Sequence, residues 1–551
     1  MMGTVPDTIR QPGGSATIAL AAIWLLAAQA ALADDDELLA VLDESGAVID
    51  SVIIKPESIF DLDNPEENSF FYRLANKLHI TTKPEVIEQQ TLFMSGDEFS
   101  ARLLEETERK LRANRYIQDA TVEPHLNEDG TVEVDIKTSD TWTLMPKLSF
   151  SRAGGVNKSA IGIRDMNLLG RGIQLEAAYA SNVDRTSTML NLTDNNVGNS
   201  WYRLHLDLQD SSDGFTRGVQ FGIPFYALDS TRAHGFSYYD NERVDAIYDL
   251  GKKTGEYGHR TNSYEIFRGW SSGLEDGKAL RYTAGLAYDE HRFSAVDDVA
   301  YTGTPLPDDR QLFYPFFGME WVEDNYVETR NADQLDRTED FYFGTRVTGR
   351  LGYASDRLGS DRSSWILNAN AQTGFGSIQK HAVFIDGGLD TRIERGALHD
   401  FGLRGGVRYY DRQSPKRLLF ASVSGFYGRN FDADHQLYLG GDTGLRGYPL
   451  RYQSGDSSVL LTLEQRYYTD WYPFRLFRVG GAVFFDMGRT WGEGPNGGTN
   501  NGWLRNVGFG LRLGSTRSGL GKVVHIDLAY PLDGDGSMDN VQFLISAKHG
   551  F

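Results

Sequence analysis

Cysteine is missing from all 551 residues. Disulfide frameworks, thiolate metal sites and cysteine nucleophiles are therefore excluded. No run of about 20 apolar residues follows the N-terminal stretch, which excludes crossing a membrane by helices. Cations are in deficit, with 55 Lys and Arg against 76 Asp and Glu, a formal net charge of −21. A phosphate backbone needs clustered Lys and Arg, so no nucleic-acid partner is expected. The surplus acid reads as solvated loops. Histidines number 11 and are scattered, and no Gly-x-Ser-x-Gly elbow or Ser-His-Asp order accompanies them. No enzyme is expected, nor a cofactor or metal. Asp432 and Asp434 beside His435 offer ligand chemistry, but a flexible acidic loop explains them more simply.

Glycine is abundant at 60 residues and aromatics reach 12%. Together with many short alternating runs, they suggest an outer-membrane barrel. Ahead of it, residues 1–33 read as a cleaved secretory signal. Arg10 precedes the uncharged stretch Gln11–Ala33, Ala31-Leu32-Ala33 supplies the cleavage pattern, and Asp34-Asp35-Asp36 follows.

Residues 34–142 read as a small α+β unit of order β-α-α-β-β. A strand is expected over Val48–Ile54. A helix is expected over Asn68–His79, with Phe71, Leu74, Ala75 and Leu78 on one face. A second helix runs from an Asp97 N-cap to Ala113, with Phe99, Leu103, Leu104 and Leu111 at helical spacing. Strands Tyr116–Leu126 and Thr131–Lys137 flank a turn at Asn127–Gly130.

From Thr143 to the end, residues 143–551, the period becomes two. Tyr202, Leu204, Leu206 and Leu208 alternate with polar residues; so do Trp365, Leu367, Ala369 and Ala371, and Val507, Phe509, Leu511 and Leu513. One face suits lipid and the other a polar interior. In hydrocarbon such a sheet must close on itself. The fold class is therefore mainly β: a closed antiparallel transmembrane barrel behind one small α+β domain. About eighteen to twenty strand segments are counted, with some around Ala233–Trp270 expected to extend beyond the membrane. Asp240–Arg260 and Asp297–Asp309 read as external loops. The last segment places Val541, Phe543, Ile545 and Phe551 on one face.

The stretch Tyr438–Tyr448, Y-L-G-G-D-T-G-L-R-G-Y, breaks the pattern. It is too polar and Gly-rich for a regular element, yet strands flank it. We read it as a loop folded back into the lumen with Arg446 at its tip. Glu464 and Asp486 fall on inward positions of the next two strands. The planar fork of an inserted Arg446 suits paired carboxylates.

These residues resemble the BamA/TamA superfamily of outer-membrane assembly and translocation barrels. Leu445-Arg446-Gly447-Tyr448 is similar to its lumen-loop motif, and Phe484–Gly488, containing Asp486, to a strand motif, with Glu464 on the strand between. Asp165, Asn167, Gly170 and Gly172 resemble the early-barrel motif. Phe543, Ile545 and Phe551 resemble a C-terminal β-signal. Leu111–Val122 resembles the helix-to-strand junction of a POTRA domain. The resemblance implies sixteen strands, fewer than the segments counted. It also implies a Gram-negative outer-membrane location with the small domain in the periplasm. Implied partners are lipid, client polypeptides and other assembly factors. It further implies a weak seam between Leu144–Ser151 and Val541–Phe551, with Gly154, Gly155 and Gly550 beside it. The leading expectation is insertion or translocation of polypeptide. A two-partner secretion transporter and a passive porin or adhesin stand as alternatives.

Overall fold

The computed structural model describes residues 35–296, 304–493, 497–519, 523–533, 538 and 541–548. The expected signal 1–33 and the terminal Phe551 lie outside the described residues, as does Gly550.

The small domain runs α1 (Asp35–Ser45), β1 (Ile49–Glu57), α2 (Phe70–Leu78), α3 (Pro84–Glu88), α4 (Ala101–Arg112), β2 (Ile117–Leu126) and β3 (Val132–Asp140). Its sheet has the order β1-β3-β2, with β1 parallel and β2 antiparallel to the central β3. Leu104, Thr107 and Leu111 share one face of α4 and are buried over the sheet, against Ile87, Val134 and Ile136. The basic residues Arg109, Lys110 and Arg112 occupy its last turn, where the helix dipole favours cations.

Two expectations for this domain need correction. The order is α-β-α-α-α-β-β rather than β-α-α-β-β, with α1 and the short α3 added. Helix α4 starts after Ser100, because Asp97 is used one turn earlier to accept from the Met94 amide at 2.8 Å. Helix α2 forms where expected, and its apolar face turns away from the domain. Asn76 makes paired bonds with the Phe60 backbone (3.1 and 2.8 Å), and the Tyr72 ring lies 4.6 Å from that of Phe60. Phe71, Leu74 and Leu78 are left exposed.

Twenty further strands close into one ring. They are β4 (Leu144–Ala153), β5 (Val156–Asp165), β6 (Gln174–Ser181), β7 (Thr186–Asp194), β8 (Arg203–Ser211), β9 (Gly214–Ile223), β10 (Arg232–Asp249), β11 (Lys252–Glu275), β12 (Lys278–Ser294), β13 (Arg310–Glu323), β16 (Arg346–Ala354), β17 (Ser364–Gly376), β18 (His381–Glu394), β19 (Ala397–Ser414), β20 (Arg417–Arg429), β23 (Ser457–Tyr468), β24 (Phe477–Trp491), β25 (Leu504–Ser515), β26 (Val523–Pro531) and β27 (Gln542–Lys548). Neighbours in the ring are antiparallel, and β27 returns to β4. The ring exceeds the sixteen strands that the resemblance implies and agrees with the upper segment count. Outward positions carry exposed apolar residues such as Ile161, Ile266, Trp365, Leu403 and Phe509.

Asp240–Arg260 is not a loop. It is the top of the β10–β11 hairpin, whose ladder continues to Asp249↔Lys252, so Ala233–Trp270 belongs to two barrel strands. Beyond an apolar belt neither face need be hydrophobic. Pairing therefore continues after alternation in the sequence has stopped.

Both ends of the barrel are filled. At the end facing the small domain, the hairpin β14 (Tyr326–Arg330) and β15 (Thr338–Tyr342) buries Ala332 and Leu335 against Phe384, Tyr410 and Leu418. At the opposite end, the connection from β20 to β23 carries the short pair β21 (Leu437–Leu439) and β22 (Gln453–Gly455) and dips inside.

Candidate functional site in the barrel lumen

The dipping segment is held by its own apolar residues. Leu445, Tyr448 and Tyr452 are buried with Leu439 and Leu504. The Tyr448 hydroxyl donates to the Arg505 carbonyl at 2.8 Å. Gly447 is required by close approach, since a Cβ there would lie 2.6 Å from Cβ of Asn506.

This packing delivers Arg446 to the inner wall. Its Nε and Nη2 donate to the two oxygens of Asp486 at 2.8 and 2.7 Å, a bidentate fork. Nη1 donates to Glu464 at 2.7 Å. All three side chains are at most 5% exposed. The expected trio is thus brought together. Both acids arrive by strand alternation: β23 sends Leu463 out and Glu464 in, and β24 sends Val483 out and Phe484 and Asp486 in. The Arg446 guanidinium also lies 3.4 Å above the Phe484 ring. Thr462 and Asn506 donate to the remaining capacity of Asp486 at 3.0 and 2.8 Å. Every strong donor meets an acceptor, as a buried ion pair requires.

Sequence reasoning missed how far the network extends. Arg466 donates to the second oxygen of Glu464 at 3.2 Å and to Asp333 of the β14–β15 hairpin at 3.0 Å. Arg512 pairs with Asp527, which lies 3.9 Å from Arg446. The chain Asp333–Arg466–Glu464–Arg446–Asp486 therefore links the insert from one end of the barrel to the insert from the other. Inward alternation on β25 and β26 carries the signal for Arg512 and Asp527. No local pattern marks Asp333, which is distant in sequence.

The early-barrel motif lies elsewhere, at the turn joining β5 to β6. It forms the joint with the small domain. Asn167 accepts from the Gly172 amide and donates to the Thr82 hydroxyl at 2.7 Å. Its own amide donates to Asp165 at 3.0 Å. Gly170 has φ +72°, and its carbonyl accepts from the Lys83 amide at 3.0 Å; a Cβ there would meet the Thr81 carbonyl at 2.6 Å. Thr82 in turn donates twice to buried Asp140, by amide and hydroxyl at 2.7 and 2.8 Å.

The C-terminal residues form the last strand. Phe543 points outward, and Ile545 faces Arg152 of β4. Among the described residues Ile545↔Arg152 is the single ladder pair between β27 and β4. Every other neighbouring pair of the ring shares at least seven. Gly154, just beyond the seam, accepts from the Leu450 amide of the lumen segment at 3.3 Å.

No protein-family model and no curated protein matches the sequence. Solved structures do. BamA from Haemophilus ducreyi lacking POTRA domains 1–3 matches at 12% identity over 93% of this chain and 91% of that one, with a TM-score of 0.41. CdiB from Escherichia coli matches at 12% identity over 91% and 76%, with a TM-score of 0.49. The FrpB iron transporter from Neisseria meningitidis matches at 8% identity over 79% and 87%, with a TM-score of 0.39.

Proposed function

We propose that this chain spans a Gram-negative outer membrane and works there, without catalysing a reaction, as a polypeptide assembly or translocation barrel of the BamA/TamA type. The observation that carries this reading is the asymmetry of closure. Among the described residues one ladder pair joins β27 to β4, while β23 and the strands beside it are fully laddered and pinned by the Arg446 network. A lipid-facing sheet must satisfy its backbone groups. An edge left short of partners is therefore a site where an extended client strand can pair.

The small domain sits in the periplasm as the receiving module. Beyond its contact with 96–98, β1 pairs only with β3, so residues 51–57 present a second edge. Beside that edge lies a cavity of about 790 Å³, lined by Val52, Ile54, Phe93, Trp201 and Tyr226 among others. Backbone bonds along β1 would hold a client largely regardless of its sequence, and the mixed apolar and polar lining would take alternate side chains. A porin reading leaves the filled lumen without a purpose. A secretion reading shares the receiving edge but needs the two inserts to leave.

The absence of native cysteine allows a direct test. Replacing Arg152 and Ile545 together by cysteine and oxidising the pair should lock the seam. Client insertion into vesicles should stop and return on reduction. Insertion that continues through the locked seam would refute the proposal.

A further inference from the structure

A second cluster lines the lumen away from Arg446. His259 of β11 and His291 of β12 point inward, stacked near Phe293, and Asp434 reaches them from the dipping segment. One atom from each lies within 4.8 Å of the others. His259 Nε2 faces His291 Nδ1 at 2.9 Å. The outer nitrogens both face carboxylates: His259 Nδ1 lies 2.7 Å from Asp245, and His291 Nε2 lies 3.2 Å from Asp289. An ionised carboxylate only accepts, and Asp245 is the nearer partner of His259 Nδ1, which favours the tautomer with protons on both outer nitrogens. The neutral rings would then confront each other with lone pairs. In that tautomer a cation between the inner nitrogens, a proton or a metal, satisfies both lone pairs; in the other, Arg243 donates to His259 Nδ1 and His259 Nε2–H donates to His291.

We propose that the cation is a divalent transition ion of the Zn²⁺ class, held by His259 Nε2, His291 Nδ1 and Asp434. Imidazole and carboxylate suit such ions. A carboxylate on the outer nitrogen of each ligating histidine is the arrangement that fixes tautomer and ring orientation in metal sites. Asp434 is oriented by Arg310, which donates to both its oxygens at 2.8 Å and leaves each oxygen a lone pair. The other polar groups beside the rings are Arg243, 3.2 Å from His259 Nδ1, and the Thr261 hydroxyl, 3.3 Å from Nε2. Arg243 also engages Asp245 at 2.7 Å and so strengthens that carboxylate's hold. Metal–nitrogen bonds of about 2.0–2.1 Å require the rings to part by only a few tenths of an ångström. Strands β11 and β23 lie eight places apart in the ring of twenty. The ion would strap the incoming leg of the lumen segment to one wall, while Arg446 fastens its tip to another.

The full chain in detergent, stripped with EDTA and titrated with ZnCl₂ by calorimetry, should take up one ion. Co²⁺ in its place should give a ligand-field absorption band. H259Q/H291Q should abolish uptake, and D434N should weaken it about tenfold or more. Failure of the wild type to bind would leave a proton alone between the rings and overturn the proposal. Equal binding by H259Q/H291Q would assign the ion to surface acids and do the same. Should that variant not assemble, the Co²⁺ band of the wild type and its loss in D434N decide.

An independent observation concerns α2. Phe70, Phe71, Leu74 and Leu78 form one exposed face, 66%, 76%, 39% and 64% accessible. The helix is moored at both ends to the barrel rim. Tyr72 donates to the Phe474 carbonyl at 3.2 Å, in the turn between β23 and β24. Beyond its other end, Lys83 binds the turn between β5 and β6. It therefore runs beneath the arc that contains the seam. Exposed apolar residues stand near both moorings, Trp471 and Phe474 in the β23–β24 turn and Leu144, Ile163 and Leu169 at the same end of β4, β5 and the β5–β6 turn. We infer that α2 rests in the boundary of the lipid leaflet on that side, which presupposes the membrane-spanning reading above.

Nitroxide labels at F71C, L74C, R73C and L403C, in vesicles of phosphatidylethanolamine and phosphatidylglycerol, test this. Labels at 71 and 74 should be reached by oxygen like the one at 403 on the barrel's outer face, and the one at 73 by a polar relaxer. Aqueous labels at 71 and 74 with 403 in lipid would overturn the inference alone. An aqueous label at 403 would overturn the membrane reading with it. Shielding at 71 that requires added unfolded polypeptide would assign the face to clients instead and overturn the lipid contact.

Discussion

The wall around Arg446 and the seam are parts of one ring with opposite character. Strands β23 and β24 share twelve ladder pairs, from Ser457↔Trp491 to Tyr468↔Gly480, and among the described residues β27 and β4 share one. A ladder hydrogen bond is worth about 1 kcal/mol net in water and more in hydrocarbon, where no solvent replaces it. Opening the ring at the seam therefore breaks the fewest bonds. A barrel that parts at one place must be held firmly elsewhere, and the ion-pair chain supplies that hold from Asp333 to Asp486.

The largest effect should come from breaking the pinned wall. R446A leaves Asp486 and Glu464 buried without their shared cation. The expected cost is about 3–5 kcal/mol, the range for one partner removed from a buried pair. Urea unfolding in detergent, followed by heat-modifiable gel mobility, should show it. A midpoint equal to the parent's would mean that the wall is not held by this network.

The next effect concerns the insert at the end facing the small domain. Glu339 accepts from the amides of Ala332, Asp333 and Gln334 at 2.9, 2.9 and 3.0 Å, and so shapes the turn that reaches Arg466. Burial, reinforced by Asp333, pushes its pKa up to about 7, against the pull of those amides. The folded hairpin thus holds a proton that the unfolded chain releases near 4.5. Its contribution is fully present below about 4.5 and is lost as pH rises toward about 7, a change of about 3 kcal/mol at most. Amide exchange over 331–337 should quicken from pH 5 to pH 8, and E339Q should flatten the dependence. A parent chain whose exchange, corrected for intrinsic rates, ignores pH would remove this end from the pinned region.

Which of these features the sequence displays follows from physics. Alternation of apolar and polar residues marks β8, β17 and β25. It also marks the inward Glu464 and Asp486, because a period of two assigns faces once one apolar residue is placed. The same rule fails at Asp240–Arg260, where both faces are polar. It fails for α2 because a helix shows an apolar stripe without showing what covers it. It fails for β14–β15, whose short strands look like barrel strands but cross the mouth. The partnership of Asp333 with Arg466 depends on that crossing, and no local spacing encodes it.

Joints between the two bodies rank lower. Arg112 is 4% exposed and pairs with Asp340 at 2.6 Å and with Glu108 at 2.9 Å, as well as with Glu328. Glu328 is 56% exposed and can return to water. R112A should therefore cost about 1–3 kcal/mol and be felt as looser docking of the small domain. Limited proteolysis within 113–143 should accelerate without loss of the barrel's heat-resistant mobility. Loss of that mobility would show that the joint, too, belongs to the pinned region.

The smallest effect isolates burial as the cause. Lys416 pairs with Asp470 near the barrel end that faces the small domain, and the two side chains are 58% and 81% exposed. Water screens such a pair, so K416M should shift the unfolding midpoint by no more than about 0.5 kcal/mol. R446A and K416M both remove a cation from a carboxylate, and the chief difference is the solvent around it. Equal shifts from the two would mean that charge count rather than enclosure stabilises the ring. The contrast between pinned wall and open seam would then rest on ladder bonds alone.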